Sequence, residues 1–197
     1  MNATATNTLR IVEPEYADLL GHLKTNGVAL LHGSKAIAQH RTNMMAAFAA
    51  DVAEGKIHGQ GWAESDEEPV YYVTKNPAQF IVRRRSEKYG AWEIHLPPFF
   101  VNTPPLDPEV FIETTPVLMD AMPRLVVIDE WETFAGKDPA KVSLARRIAD
   151  TFDCLVIVLH TDPDKPTAED DALAKALFNM ADDVLELRIT DGGNDAR

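Results

Sequence analysis

The chain has one cysteine, Cys154, among its 197 residues, so an intramolecular disulfide is excluded. Cys154 opens the apolar run Cys154-Leu-Val-Ile-Val-Leu159 and has no basic neighbour in sequence to lower its thiol pKa. That predicts an inert core residue rather than a nucleophile. No stretch approaches the ~18 consecutive apolar residues that span a bilayer. The polar opening Met1–Thr8 lacks the apolar core of a signal peptide. These absences predict a cytoplasmic protein without membrane contact. Positive charge is also scarce: 19 Lys and Arg stand against 31 Asp and Glu, a net charge of −12. Coating DNA by charge alone needs clustered cations, so DNA as a partner is disfavoured. The histidines, His22, His32, His40, His58, His95 and His160, show no metal-ligand spacing, and there is no cysteine cluster. No structural metal is expected.

What is present suits one globular domain. Hydrophobic residues make up 45% and charged residues 25%, and the length allows a substantial core without staples. Apolar β-like runs alternate with helical patterns, which predicts βαβ units on a mostly parallel sheet. Strands are expected at Gly27–His32, Val70–Thr74, Trp92–Leu96, Arg124–Asp129, Cys154–Leu159 and Asp183–Ile189. Helices are expected at Thr42–Glu54, from Asn76-Pro77 through Lys88, at Lys141–Phe152 and at Ala172–Met180. Gly33–His40 and Thr161–Glu169 read as polar loops. Pro97–Pro108, with five prolines and adjacent Phe99 and Phe100, reads as a long loop, either a lid or a partner surface. The organisation expected is a flexible arm over 1–10, one α/β domain over 11–190 and a flexible tail over 191–197.

Ligands of parallel sheets sit at the carboxyl ends of the strands. The run Leu125-Val-Val-Ile-Asp-Glu130 would place two acids there. Such carboxylates hold Mg²⁺ and polarise water in nucleotide-hydrolysing domains. A buried strand running out into solvent would look the same. Arg83-Arg84-Arg85 reads either as a phosphate-binding or inter-subunit patch or as a solvated helix face. Trp62, Trp92 and Trp131 read as packing residues.

The order of these pieces resembles the RecA-like ATPases, in particular the RepA-type plasmid replicative helicases, over about Gly27 to Arg188. Ala49-Ala-Asp-Val-Ala-Glu-Gly55 is similar to the end of that family's helix after the phosphate loop. Pro69-Val-Tyr-Tyr-Val-Thr-Lys-Asn-Pro-Ala-Gln-Phe-Ile-Val-Arg-Arg-Arg85 resembles its second strand and Arg-rich helix. Arg124–Asp129 resembles its Walker B strand, Val156-Ile-Val-Leu-His-Thr161 its sensor strand, and Asn179–Leu187 its closing strand. The resemblance implies a three-layer RecA-like fold, with Asp129 and Glu130 as catalytic acids and Asp129 as a Mg²⁺ ligand if nucleotide binds.

The departures are equally specific. A working phosphate loop reads G-x-x-x-x-G-K-[ST], with glycines that turn backbone N–H groups toward phosphates and a Lys that neutralises them. In the matching register this chain has His40-Arg41-Thr42, with Lys35 at the first glycine position. Arg41 and Thr42 are the remaining candidates for nucleotide contact. The family's strand-two Glu is matched by Lys75-Asn76, and neither is a carboxylate base. The expectation is therefore a RecA-like domain without efficient hydrolysis. It would act as an interaction or regulatory protein toward a related ATPase or a replication or transfer protein, with no cofactor and as a monomer or small oligomer. Arg83, Arg84, Arg85, Phe99 and Phe100 are the interaction candidates. The alternative is an Mg-ATP-dependent motor subunit with an atypical loop. In either case residues Gly33–Arg41 are expected to collapse over the place where phosphates would lie.

Overall fold

In the computed structural model the described residues are 7–11, 23–57, 69–75, 82–85, 92–95, 100–102, 109–113 and 122–189. Nine strands form among them: β1 (Asn7–Ile11), β2 (Gly27–Ser34), β3 (Val70–Val73), β4 (Val82–Arg85), β5 (Trp92–His95), β6 (Phe100–Asn102), β7 (Leu125–Asp129), β8 (Leu155–Asp162) and β9 (Asp183–Ile189). Four α-helices carry names here: α1 (Ala38–Ala53), α2 (Trp131–Ala135), α3 (Ser143–Phe152) and α4 (Ala168–Met180). Seven strands make one sheet in the order β1-β9-β2-β8-β7-β3-β6, and every pair in it is parallel. β4 and β5 form a separate antiparallel pair.

The sheet's central strands are buried on both faces, and their alternation divides the core in two. Ala29, Leu31, Leu125, Val127, Leu155, Ile157 and Leu159 meet Met45, Phe48, Ala49 and Val52 of α1 on one side. Val28, Leu30, Val126, Ile128, Val156 and Val158 meet Trp131, Ile148, Phe152, Leu173 and Leu177 of the other helices on the opposite side. Continuous β-branched and leucine runs are what a doubly covered parallel strand requires. Each fully buried side chain of this size contributes about 1.5–3 kcal/mol. Cys154 is fully buried in the second layer, and burial pushes its thiol up to about 12, so it is a packing residue.

Several expected boundaries differ. The arm expected over 1–10 contains most of β1, because Asn7–Ile11 pairs with Leu185–Ile189 at the sheet edge. The helix expected through Lys88 is replaced, over Val82–Arg85, by a strand paired with Trp92–His95. Arg83, Arg84 and Arg85 therefore sit on β4 and do not form a helix face; the Val, Ile and Trp around them suit strand pairing better than helix. Phe100 opens β6 inside the segment expected to be an irregular loop, and Phe99 lies outside the described residues. The tail 191–197 also lies outside them. α4 begins at Ala168, four residues before the expected start at Ala172. Thr167 and Asp170 form a capping box that nucleates the extra turn.

Candidate functional site at the carboxyl edge of the sheet

The largest difference from expectation is at the end of β2. The expected polar loop Gly33–His40 is absent. β2 runs on through Ser34, a 3₁₀ turn takes Lys35–Ile37, and α1 starts at Ala38. The Ala38 N–H is spent on the Lys35 carbonyl. Gly33 has an ordinary backbone. A β-carbon there would stand 2.5 Å from Ile37 Cδ1 and 2.7 Å from the Leu187 carbonyl oxygen. This glycine serves the close packing of the 3₁₀ turn on β9 rather than a phosphate cradle.

α1 carries Arg41 and Thr42 inward, under the ends of β7 and β8. Arg41 is 1% exposed. Its Nη1 donates to the His160 carbonyl, and its Nη2 donates to Glu130 Oε1 and to Thr161 Oγ1, both at 2.8 Å. The Thr161 hydroxyl donates in turn to the same Glu130 oxygen. Burial pulls the Arg41 guanidinium below its ordinary value, against the opposing pull of Glu130 and Asp129. A guanidinium stays charged under such a shift.

Asp129 is held from two sides. Thr42 Oγ1 donates to Oδ1 at 3.1 Å and Thr74 Oγ1 donates to Oδ2 at 3.0 Å. Burial raises the Asp129 pKa, and the two hydroxyls oppose the rise. Glu130, next in the chain, has φ 70° and ψ 97°, a left-handed conformation that costs a non-glycine residue about 1–3 kcal/mol. It turns the chain from β7 into α2 while its carboxylate stays on Arg41.

A second polar set adjoins the first. His160 is 1% exposed, with Nδ1 at 3.2 Å from Glu132 Oε1 and Nε2 at 4.0 Å from Asp162 Oδ1. Its strand neighbour His32 reaches Asp162 Oδ2 through Nδ1 at 3.0 Å. Burial acts to raise both Glu132 and Asp162, but the hydrogen bonds from His160 and His32 outweigh it and leave each carboxylate below its usual pKa.

Of the residues singled out from sequence, Asp129, Glu130, Arg41 and Thr42 come together. Arg83–Arg85 and Phe100 lie on other elements, and nothing places them at this edge. Sequence reading missed Thr74, Glu132, His32 and Asp162. Thr74 had a signal: Val73 pairs with Ile128, so the residue after β3 lies beside the residue ending β7.

No protein-family model matches the chain, and no curated protein matches its sequence. A solved structure of the ATPase domain of a RecA-like replicative helicase is similar in fold, with a TM-score of 0.61 over 98% of this chain and 79% of that one. The fold is RecA-like. At 12% identity the likeness extends to the fold alone. Among the described residues, no helix is long and apolar enough to cross a membrane.

Proposed function

We propose that this RecA-like domain does not hydrolyse nucleotide and acts as an interaction or regulatory protein. The observation that carries the reading is Arg41. Its buried guanidinium is committed to Glu130, Thr161 and the His160 carbonyl at the edge where phosphates would need a free cation. Two further features support it. Residues 35–37 are wound into a 3₁₀ turn that runs directly into α1, so the backbone there is not shaped as a nest of outward N–H groups. The carboxylates of Asp129, Glu130, Glu132 and Asp162 gather around Arg41 and outnumber it, a charge balance that repels a polyphosphate. These residues do not fit Mg-ATP as a resident cofactor. By the family resemblance, the partner is a related ATPase or another protein of DNA replication or transfer in a mobile element, met by a monomer or small oligomer.

The Thr42–Asp129 hydrogen bond favours a second reading, a weak ATPase. A hydroxyl and an acid so paired are the groups that hold Mg²⁺ in working sites. Calorimetry with Mg-ATP up to millimolar concentration, paired with a phosphate-release assay, separates the two. Neither heat nor phosphate is expected. Tight binding with turnover abolished in Asp129→Ala would overturn the first reading and establish the second.

A further inference from the structure

A groove of about 550 Å³ opens where β2, β8 and β9 end, beside the filled phosphate position. Its lining includes Ile37 and Leu187 with Ser34, Asp162, Glu186 and Arg188. Its apolar part depends on Gly33, whose missing β-carbon lets Ile37 close on the Leu187 backbone. The size falls within the range of ordinary ligand clefts.

The groove's charges are not equivalent. Arg188 is already clamped by Glu186, whose two carboxylate oxygens accept from Nε and Nη2. That pair is closed on itself and offers little to an incoming anion. Asp162 differs. Its side chain is 40% exposed, while the ring behind it, His32, is buried and wedged edge-on against Phe178 at 4.7 Å. His32 Nδ1 fixes the carboxylate from the protein side at 3.0 and 3.3 Å. An acceptor oriented by a buried neighbour is preorganised, so a ligand meeting it loses little free energy in ordering it.

We propose that this groove receives a lysine or arginine side chain from a segment of a protein partner. The charged head would meet Asp162 and the Ser34 hydroxyl, and the aliphatic stem would lie on Ile37 and Leu187. The chain's net charge of −12 steers such a segment inward and disfavours an acidic one. This deepens the interaction reading by naming the partner's chemistry, and it rests on that reading.

The test uses the full chain and two blocked peptides, one with two arginines and one with citrulline in their place. Amide shifts are followed by NMR at moderate salt. The arginine peptide is expected to perturb residues 34–37, 162 and 186–188. The citrulline peptide should bind about tenfold weaker or worse, the loss of one charge-assisted contact. Asp162→Asn should weaken the arginine peptide by a similar factor, whereas Glu169→Gln, a carboxylate on α4 outside the groove, should not. Ser34→Arg places a cation at the mouth and should also block the peptide, which covers the case in which Asp162→Asn fails to fold. Shifts scattered over the acidic surface, or equal binding by Asp162→Asn, would overturn the proposal. Phosphate release is measured on the same samples. Turnover alongside intact groove binding refutes the non-hydrolysing reading alone; no turnover and no arginine response refutes the groove alone.

Discussion

Arg41→Met is the perturbation with the largest expected consequence. The substitution keeps an unbranched side chain in the buried position and removes the guanidinium. Three acceptor contacts go with it: the His160 carbonyl, Glu130 Oε1 and Thr161 Oγ1. Breaking a buried pair by removing one partner costs about 3–5 kcal/mol, because the other charge is left uncompensated. The Glu130 side chain is 20% exposed where that of Arg41 is fully buried, so water reaches the orphaned carboxylate. The lower end, about 3 kcal/mol, is therefore expected. For a domain of this size that lowers Tm by roughly 6–12 °C. Thermal melts followed by circular dichroism measure it. The double variant Arg41→Met/Glu130→Gln no longer buries an unpaired charge and should recover about half of the loss. Arg41→Lys should fall between the parent and Arg41→Met, since an ammonium keeps the charge but not the planar fork. A single variant melting within about 2 °C of the parent would refute the view that Arg41 locks this edge.

The other expectations are smaller. Gly33→Ala drives a β-carbon against a backbone carbonyl and should cost about 1–3 kcal/mol, read as a lower urea midpoint with unchanged slope. Glu130→Gly should be more stable than Glu130→Ala by about 1 kcal/mol, because both lose the Arg41 pair and only glycine relieves φ 70°; equal midpoints would show the backbone there to be unstrained. Asp162 has a folded pKa below its unfolded value, so the stability it contributes is present above that unfolded value and is lost as pH falls through the folded one. The acid limb of a pH-stability profile should accordingly flatten in Asp162→Asn. Asp129 works in the opposite sense, since its raised folded pKa makes its contribution shrink as pH rises through the carboxylate range. Asp129→Asn should therefore steepen the loss of stability below about pH 5.

Much of the fold was readable because buried parallel strands are written as uninterrupted runs. Leu125–Asp129 and Leu155–Leu159 are strands in the structure as in the sequence. β4 was misread because Asn76-Pro77 suggests a helix start, while the pairing of Val82–Arg85 with Trp92–His95 is a non-local interaction that no local pattern reports. The start of α4 was missed for a different reason. Thr167–Asp170 carries a local signal, but it lies in a Pro-rich acidic stretch that reads as loop. At the site, Asp129, Glu130, Arg41 and Thr42 were found by position relative to strand ends, whereas Thr74, Glu132, His32 and Asp162 were not.

The sequence by itself determined that a parallel α/β sheet would form, that two acids would stand at its carboxyl edge, and that no glycine-rich cradle would face them. Those follow from local composition: apolar runs, the acids that end them, and the residue types permitted in a tight turn. Only the tertiary structure decided what Arg41 does. Its partners, Glu130, His160 and Thr161, are 89 or more residues away in sequence. They meet it because the order β2-β8-β7 sets three strand ends side by side over the first turn of α1. The loss of a phosphate loop is visible in the sequence. Its replacement by a buried, self-satisfied ion pair depends on strand order and register, which no single segment of the chain carries.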